Sequence, residues 1–88
     1  MDEQREDEIE ASVMDICGEG KNRFAVTYPT RPANGFLTTT SITLSFSEWR
    51  GDMEPLKGQI VLLSNIQRFV KGWRARVARP IVAVSSEQ

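Results

Sequence analysis

The stretch KGQIVLLSNIQRFVKGWRARVAR, from Lys57 to Arg79, constrains the chain most, because neither of its halves can form a long helix and each reads as a strand. Gln59 to Ile66 is a short apolar run after Pro55 and Gly58, rich in Ile, Val and Leu, and predicts a buried strand. After the turn signal Lys71-Gly72, Trp73, Ala75 and Val77 alternate with Arg74 and Arg76. That is the period of a half-buried strand with one apolar and one cationic face. The stretch also holds Lys57, Arg68, Lys71, Arg74, Arg76 and Arg79, six of the eleven basic residues, and no Asp or Glu. A hairpin with a row of guanidinium groups suits an anionic polymer, although an edge strand also carries Arg simply to stay in solution.

The rest of the chain repeats the strand pattern. Ile9, Ala11 and Val13 alternate with Glu10 and Ser12, and Met14, Ile16 and Cys17 then follow, which predicts a first strand with a bulge near Val13-Met14. Gly18-Glu19-Gly20-Lys21 turns the chain. Arg23 to Tyr28 alternates again, with Phe24, Val26 and Tyr28 on one face, and this face is expected to be the core side. Pro29 to Gly35 carries two prolines and an Asn-Gly pair and must turn. Phe36 to Phe46, dense in Thr, Ile and Phe, predicts the third strand, with Thr43 and Ser45 pointing out. Ser47 to Leu56 is too broken by Gly51 and Pro55 for more than one helical turn, which Ser47 could cap, and Trp49, Met53 and Leu56 are expected to drop onto a barrel end. The last strand can run through Pro80 to Val84.

Eighty-eight residues make one domain with one modest core. Five short strands and no long helix predict an all-β fold, a small five-stranded antiparallel barrel of the oligonucleotide-binding (OB) type, with an SH3-like barrel as the runner-up. The expected core is Val13, Val26, Ile42, Leu44, Phe46, Ile60, Leu62, Ile66, Trp73 and Val77. Residues 1 to 8 read as a flexible acidic tail, 9 to 84 as the barrel and 85 to 88 as a frayed end. Residues 1 to 10 carry Asp2, Glu3, Glu6, Asp7, Glu8 and Glu10 against Arg5, so the net charge of −1 conceals two poles of opposite sign. A tail held over the basic hairpin would shield it.

The chain has no His and one Cys, so the usual general base, the commonest metal ligand and any disulfide framework within it are missing. No zinc spacing or Gly-rich phosphate loop is present either. The expectation is therefore no enzyme, no metal and no cofactor. An acidic N-terminus in place of a basic and apolar leader, together with the single Cys17, predicts a cytoplasmic protein without a membrane partner.

Five segments in order, ASVMDI, GKNRFAVT, SITLSFSEWRGD, EPLKGQIV and KGWRARVARPI, resemble a cold-shock domain, a small OB barrel that binds single-stranded RNA and DNA. SITLSFSE at 41 to 48 is similar to that family's third-strand motif Val-Phe-Val-His-Phe-Ser, and LKGQIV at 56 to 61 to its Leu-x-Glu-Gly-Gln-x-Val. The resemblance spans residues 11 to 81 and implies the same barrel. Thr43 and Ser45 stand where the family has outward Phe and His, which form its stacking platform.

Two functions follow. One is a nucleic-acid-binding module for single-stranded RNA or DNA, in which Arg68, Lys71, Arg74, Arg76 and Arg79 contact the backbone and Phe69 offers one stacking ring. Phe24, Tyr28 and Trp73 are assigned to the core. The alternative is a protein-interaction or assembly module whose basic hairpin meets an acidic protein surface or pairs edge to edge in an oligomer, a reading favoured by the acidic pI of about 5.4.

Overall fold

The computed structural model describes residues 8 to 81. The predicted acidic tail up to residue 7, the continuation of the last strand past Ile81 and the frayed end lie outside them. The described residues form five strands: β1 (Ile9–Cys17), β2 (Phe24–Pro29), β3 (Ile42–Ser45), β4 (Ile60–Phe69) and β5 (Gly72–Pro80). They close into a barrel in the order β1-β2-β3-β5-β4, with β4 returning to β1. Every pairing is antiparallel except β3 with β5, which is parallel. This is the expected small OB-like barrel.

The predicted bulge is present, since the β1–β2 register shifts between Val13 and Asp15 and leaves Met14 exposed. The third strand is shorter than expected. Phe36 belongs instead to a separate tight turn, where Asn34 and Gly35 take positive φ and Ala33 and Phe36 exchange backbone hydrogen bonds of 3.0 and 2.8 Å. An Asn-Gly pair favours that turn and stops the β-rich segment from running on as one strand.

The core is made of Ile9, Ala11, Val13, Ala25, Ile42, Leu44, Val61, Leu63, Ala75 and Ala78, with Ile16, Phe46, Trp49, Ile66 and Trp73 packed against it. Val13, Ile42 and Leu44 are buried as predicted, and Phe46, Ile66 and Trp73 lean on the core. Val26, Ile60, Leu62 and Val77 do not belong to it. In β2 the inward residues are Ala25, Thr27 and Pro29, so the bulkier set Phe24, Val26 and Tyr28 faces out. A five-stranded barrel has a narrow interior, and small side chains fill it best. The four buried alanines show that limit. Thr27 is tolerated inside because its hydroxyl donates to the Ile42 carbonyl at 2.7 Å.

β4 and β5 change phase together. Val61 and Leu63 point inward opposite Pro80 and Ala78, and Ile66 opposite Ala75, so the inward set moves by three residues on both strands. The step falls at Asn65, which takes φ +54° between the Ser64–Val77 and Ile66–Ala75 pairs. The apolar run Ile60 to Leu63 has no alternation of its own, so its residues alone leave open which of them face inward, and the expectation for Ile60 and Leu62 follows from that ambiguity, whereas Val77 is expected inward from its alternation with Trp73 and Ala75, which the phase change breaks.

In the β3–β4 connection Trp49 packs against the core, whereas Met53 and Leu56, expected beside it, are exposed, because Gly51 and Pro55 break the segment before a helical turn can set all three on one face. Ser45, rather than Ser47, caps the short turn Phe46–Glu48, its hydroxyl accepting from the Ser47 amide at 3.3 Å. Trp49 then bridges to Ala78, Arg50 donates to the Ala78 carbonyl at 2.8 Å, and the Trp49 indole N–H donates to the Met53 carbonyl at 2.7 Å. Gly51 lies against the indole so closely that an added Cβ would stand 2.7 Å from Nε1. Arg23 pairs with Glu54 and covers the Phe46 ring at 4.7 Å, tying the same loop to the β2 end.

Candidate nucleic-acid interface

The predicted basic hairpin forms as β4 and β5, joined at Val70-Lys71 with Phe69 opposite Gly72. Gly72 takes φ +133°, a conformation open to glycine and strained for other residues, and this is what lets the chain reverse so tightly. Beside the turn, a groove of about 530 Å³ runs between the hairpin and the outer face of β2 and β3. Phe24, Ser41, Thr43, Phe69, Trp73 and Arg74 line it, with Val70, Lys71 and Gly72 at the tip. The registers explain the gathering: Val26 lies beside Thr43, Thr43 beside Arg74 and Arg74 beside Gln67, so one outward row crosses all four strands.

Each ring of the hairpin carries a guanidinium. Arg74 sits over Phe69 at 5.1 Å and Arg68 over Trp73 at 5.4 Å, distances within cation–π range. Phe36 meets the Trp73 ring edge-on at 4.9 Å and steadies it from the other side. Thr43 donates from its hydroxyl to the Trp73 carbonyl at 3.3 Å. Phe69 is 39% exposed and Val70 fully so, which leaves an apolar tip between cations.

The six residues singled out in sequence separate into two groups. Phe69, Lys71 and Arg74 share the groove, and Arg68 caps the ring of its Trp73. Among the described residues, Arg68, Lys71 and Arg74 have no carboxylate partner. Arg79 is held by Glu8 through two hydrogen bonds of 2.9 and 3.1 Å, and Arg76 Nε lies 3.4 Å from the Glu48 carboxylate without making a hydrogen bond. Those two cations are already partly neutralised, and the structure does not bring them into the groove.

Phe24, expected in the core, lines the groove, and Trp73 lines it while packing against the core. The signal for Phe24 was its small neighbours Ala25 and Thr27, which fit a narrow barrel interior better than Phe24 and Val26 do. Trp73 serves both roles, one part of its ring against the core and another toward the groove. Among the described residues no cluster of His, Cys, Asp or Glu could hold a metal ion. The chain matches no protein-family model, no curated protein and no solved structure.

Proposed function

We propose that the protein binds single-stranded nucleic acid in the groove between the β4–β5 hairpin and the outer face of β2–β3, mainly through the phosphate backbone. The observation that carries this reading is the coincidence, in one groove, of aromatic surface from exposed Phe69 and half-buried Phe24 and Trp73 with Lys71 and Arg74, which have no carboxylate partner among the described residues. Rings accept bases of any sequence by stacking, and cations track the strand, the combination that sequence-tolerant single-strand binders use. The OB-like barrel supports it further, since oligonucleotides commonly bind such barrels on the strand 2 and 3 face and the adjoining loops. So does the resemblance to cold-shock domains, with the hairpin and Phe24 supplying aromatic surface where Thr43 and Ser45 supply none.

The test is a titration of labelled single-stranded oligonucleotides at about 50 and 200 mM salt. Affinity should fall with salt at a slope of about −0.7 per phosphate contact. Replacing Lys71 and Arg74 with Ala should reduce that slope by about one to two units for every sequence, while Arg79→Ala, which frees Glu8, changes it less. Phe69→Ala should weaken all sequences alike, by about 1–3 kcal/mol. A parent protein that binds nothing at low salt, or a double variant that binds as the parent does, would sink the proposal and bring forward an acidic protein surface as the partner of the hairpin.

A further inference from the structure

Two hydroxyls line the groove, Ser41 just before β3 and Thr43 within it, and they differ in what they offer a ligand. Ser41 is exposed, and an exposed hydroxyl turns its proton to suit its partner, as donor or acceptor. Thr43 is half-buried and donates to the Trp73 carbonyl at 3.3 Å, an oxygen that can only accept. Its one proton is thereby committed, and Oγ1 keeps only lone pairs for a ligand. The atom is also fixed in place. β3 is paired on both sides at this point, with Val26 on β2 and Arg74 on β5, and a β-branched side chain has few rotamers to choose from. On the partner side, the Trp73 ring is held edge-on by Phe36 at 4.9 Å.

We propose that Thr43 gives the groove a base preference, for cytosine and adenine over uracil and thymine. The inference rests on the binding of single strands in this groove and adds the class of base. A base stacked against Phe69 or Trp73 turns one edge toward the sheet, where Thr43 stands as an acceptor. Cytosine and adenine carry an exocyclic amino group, a donor that projects from the ring edge, whereas uracil and thymine carry a carbonyl oxygen at that place. The amino group completes a hydrogen bond to Oγ1. A carbonyl instead sets lone pairs against lone pairs and leaves both oxygens without the water they gave up. The N3–H of uracil and thymine is recessed between two carbonyl groups, which meet the Thr43 oxygen first. Arg74, beside Thr43 in the sheet, is a donor of the opposite preference, but its guanidinium lies over the Phe69 ring at 5.1 Å and is assigned to phosphate. One neutral hydrogen bond makes a preference of about two- to ten-fold, laid over phosphate contacts that ignore sequence.

The experiment titrates the full chain with labelled single strands of equal length made of deoxycytidine alone, of deoxyuridine alone and of N4,N4-dimethyldeoxycytidine alone. The first two match in ring size and differ at the edge that Thr43 meets. The deoxycytidine strand should bind about two- to ten-fold tighter than the deoxyuridine strand, with the same salt slope, and the dimethylated strand should fall to the deoxyuridine level. Thr43→Val keeps the shape and removes the acceptor, so the ratio of the first two should drop to about one by weakening deoxycytidine. Thr43→Ser, which keeps the hydroxyl, should retain the preference, with circular dichroism confirming the fold of both variants. Equal affinity for deoxycytidine and deoxyuridine at a normal salt slope would overturn the base preference and leave binding in the groove standing. A tighter deoxyuridine strand, full affinity for the dimethylated strand, or a preference that survives in folded Thr43→Val would overturn it as well. No binding of any strand would overturn both proposals.

Discussion

Leu44 is fully buried at the centre of the barrel, between Ala25 on β2 and Ala75 on β5. With alanines as its lateral partners on both strands, neither flanking side chain can fill the space that truncation would leave. Leu44→Ala should therefore cost about 2–5 kcal/mol, read as a lower denaturant midpoint with an unchanged slope. Gly51 tests the opposite error. A methyl group there meets the Trp49 indole, so Gly51→Ala should push the ring from its place and destabilise by about 1–3 kcal/mol, visible as a shift in tryptophan fluorescence before unfolding. Leu44 and Ile42 could be assigned inward from sequence because polar Thr43 and Ser45 frame them. Val26 is expected inward and faces out instead, because Ala25 and Thr27 are as compatible with an interior as it is, and only the width of the closed barrel decides between the two faces.

At the level of elements, the hairpin was the most legible part of the chain and its details the least. The Lys71-Gly72 turn, the cationic character and the exposed Phe69 follow from the residues alone. The shared phase change of β4 and β5 does not, because it depends on Asn65 adopting φ +54°, for which a lone asparagine gives only a weak hint. That change divides the cations, since Arg74 reaches the groove while Arg76 and Arg79 pair with Glu48 and Glu8. It also divides the strand in stability. Amides of Val61 and Leu63, enclosed by β1 and β5, should exchange far more slowly than the outward amides among Ile66 to Phe69, and hydrogen exchange by NMR without any ligand measures the contrast directly. Similar rates along all of β4 would mean that another segment covers the outer side of Ile66 to Phe69.

For the molecule as a whole, closure depends on β1, which pairs with β2 over one stretch and with β4 over another. Since the first strand must find the fourth, the barrel should fold slowly for its size, in milliseconds to seconds, and unfold in one transition by stopped-flow fluorescence. Deleting residues 1 to 12 removes Ile9 and Ala11 from the core together with the ladder to β4, and should abolish the cooperative transition altogether. The order of hairpin, third strand, connection and closing hairpin was readable in sequence, whereas the parallel contact of β3 with β5 was not, because no local pattern encodes which strands meet across the chain. The phase change at Asn65 has one more consequence, for how such a protein could diversify. Beyond it, Ile66, Trp73 and Ala75 still pack on the core, and only the end of the hairpin past them can be lengthened by two residues in each strand without rotating a core side chain. Changes by one residue would turn its cations inward, and variation between descendants should therefore come in even steps.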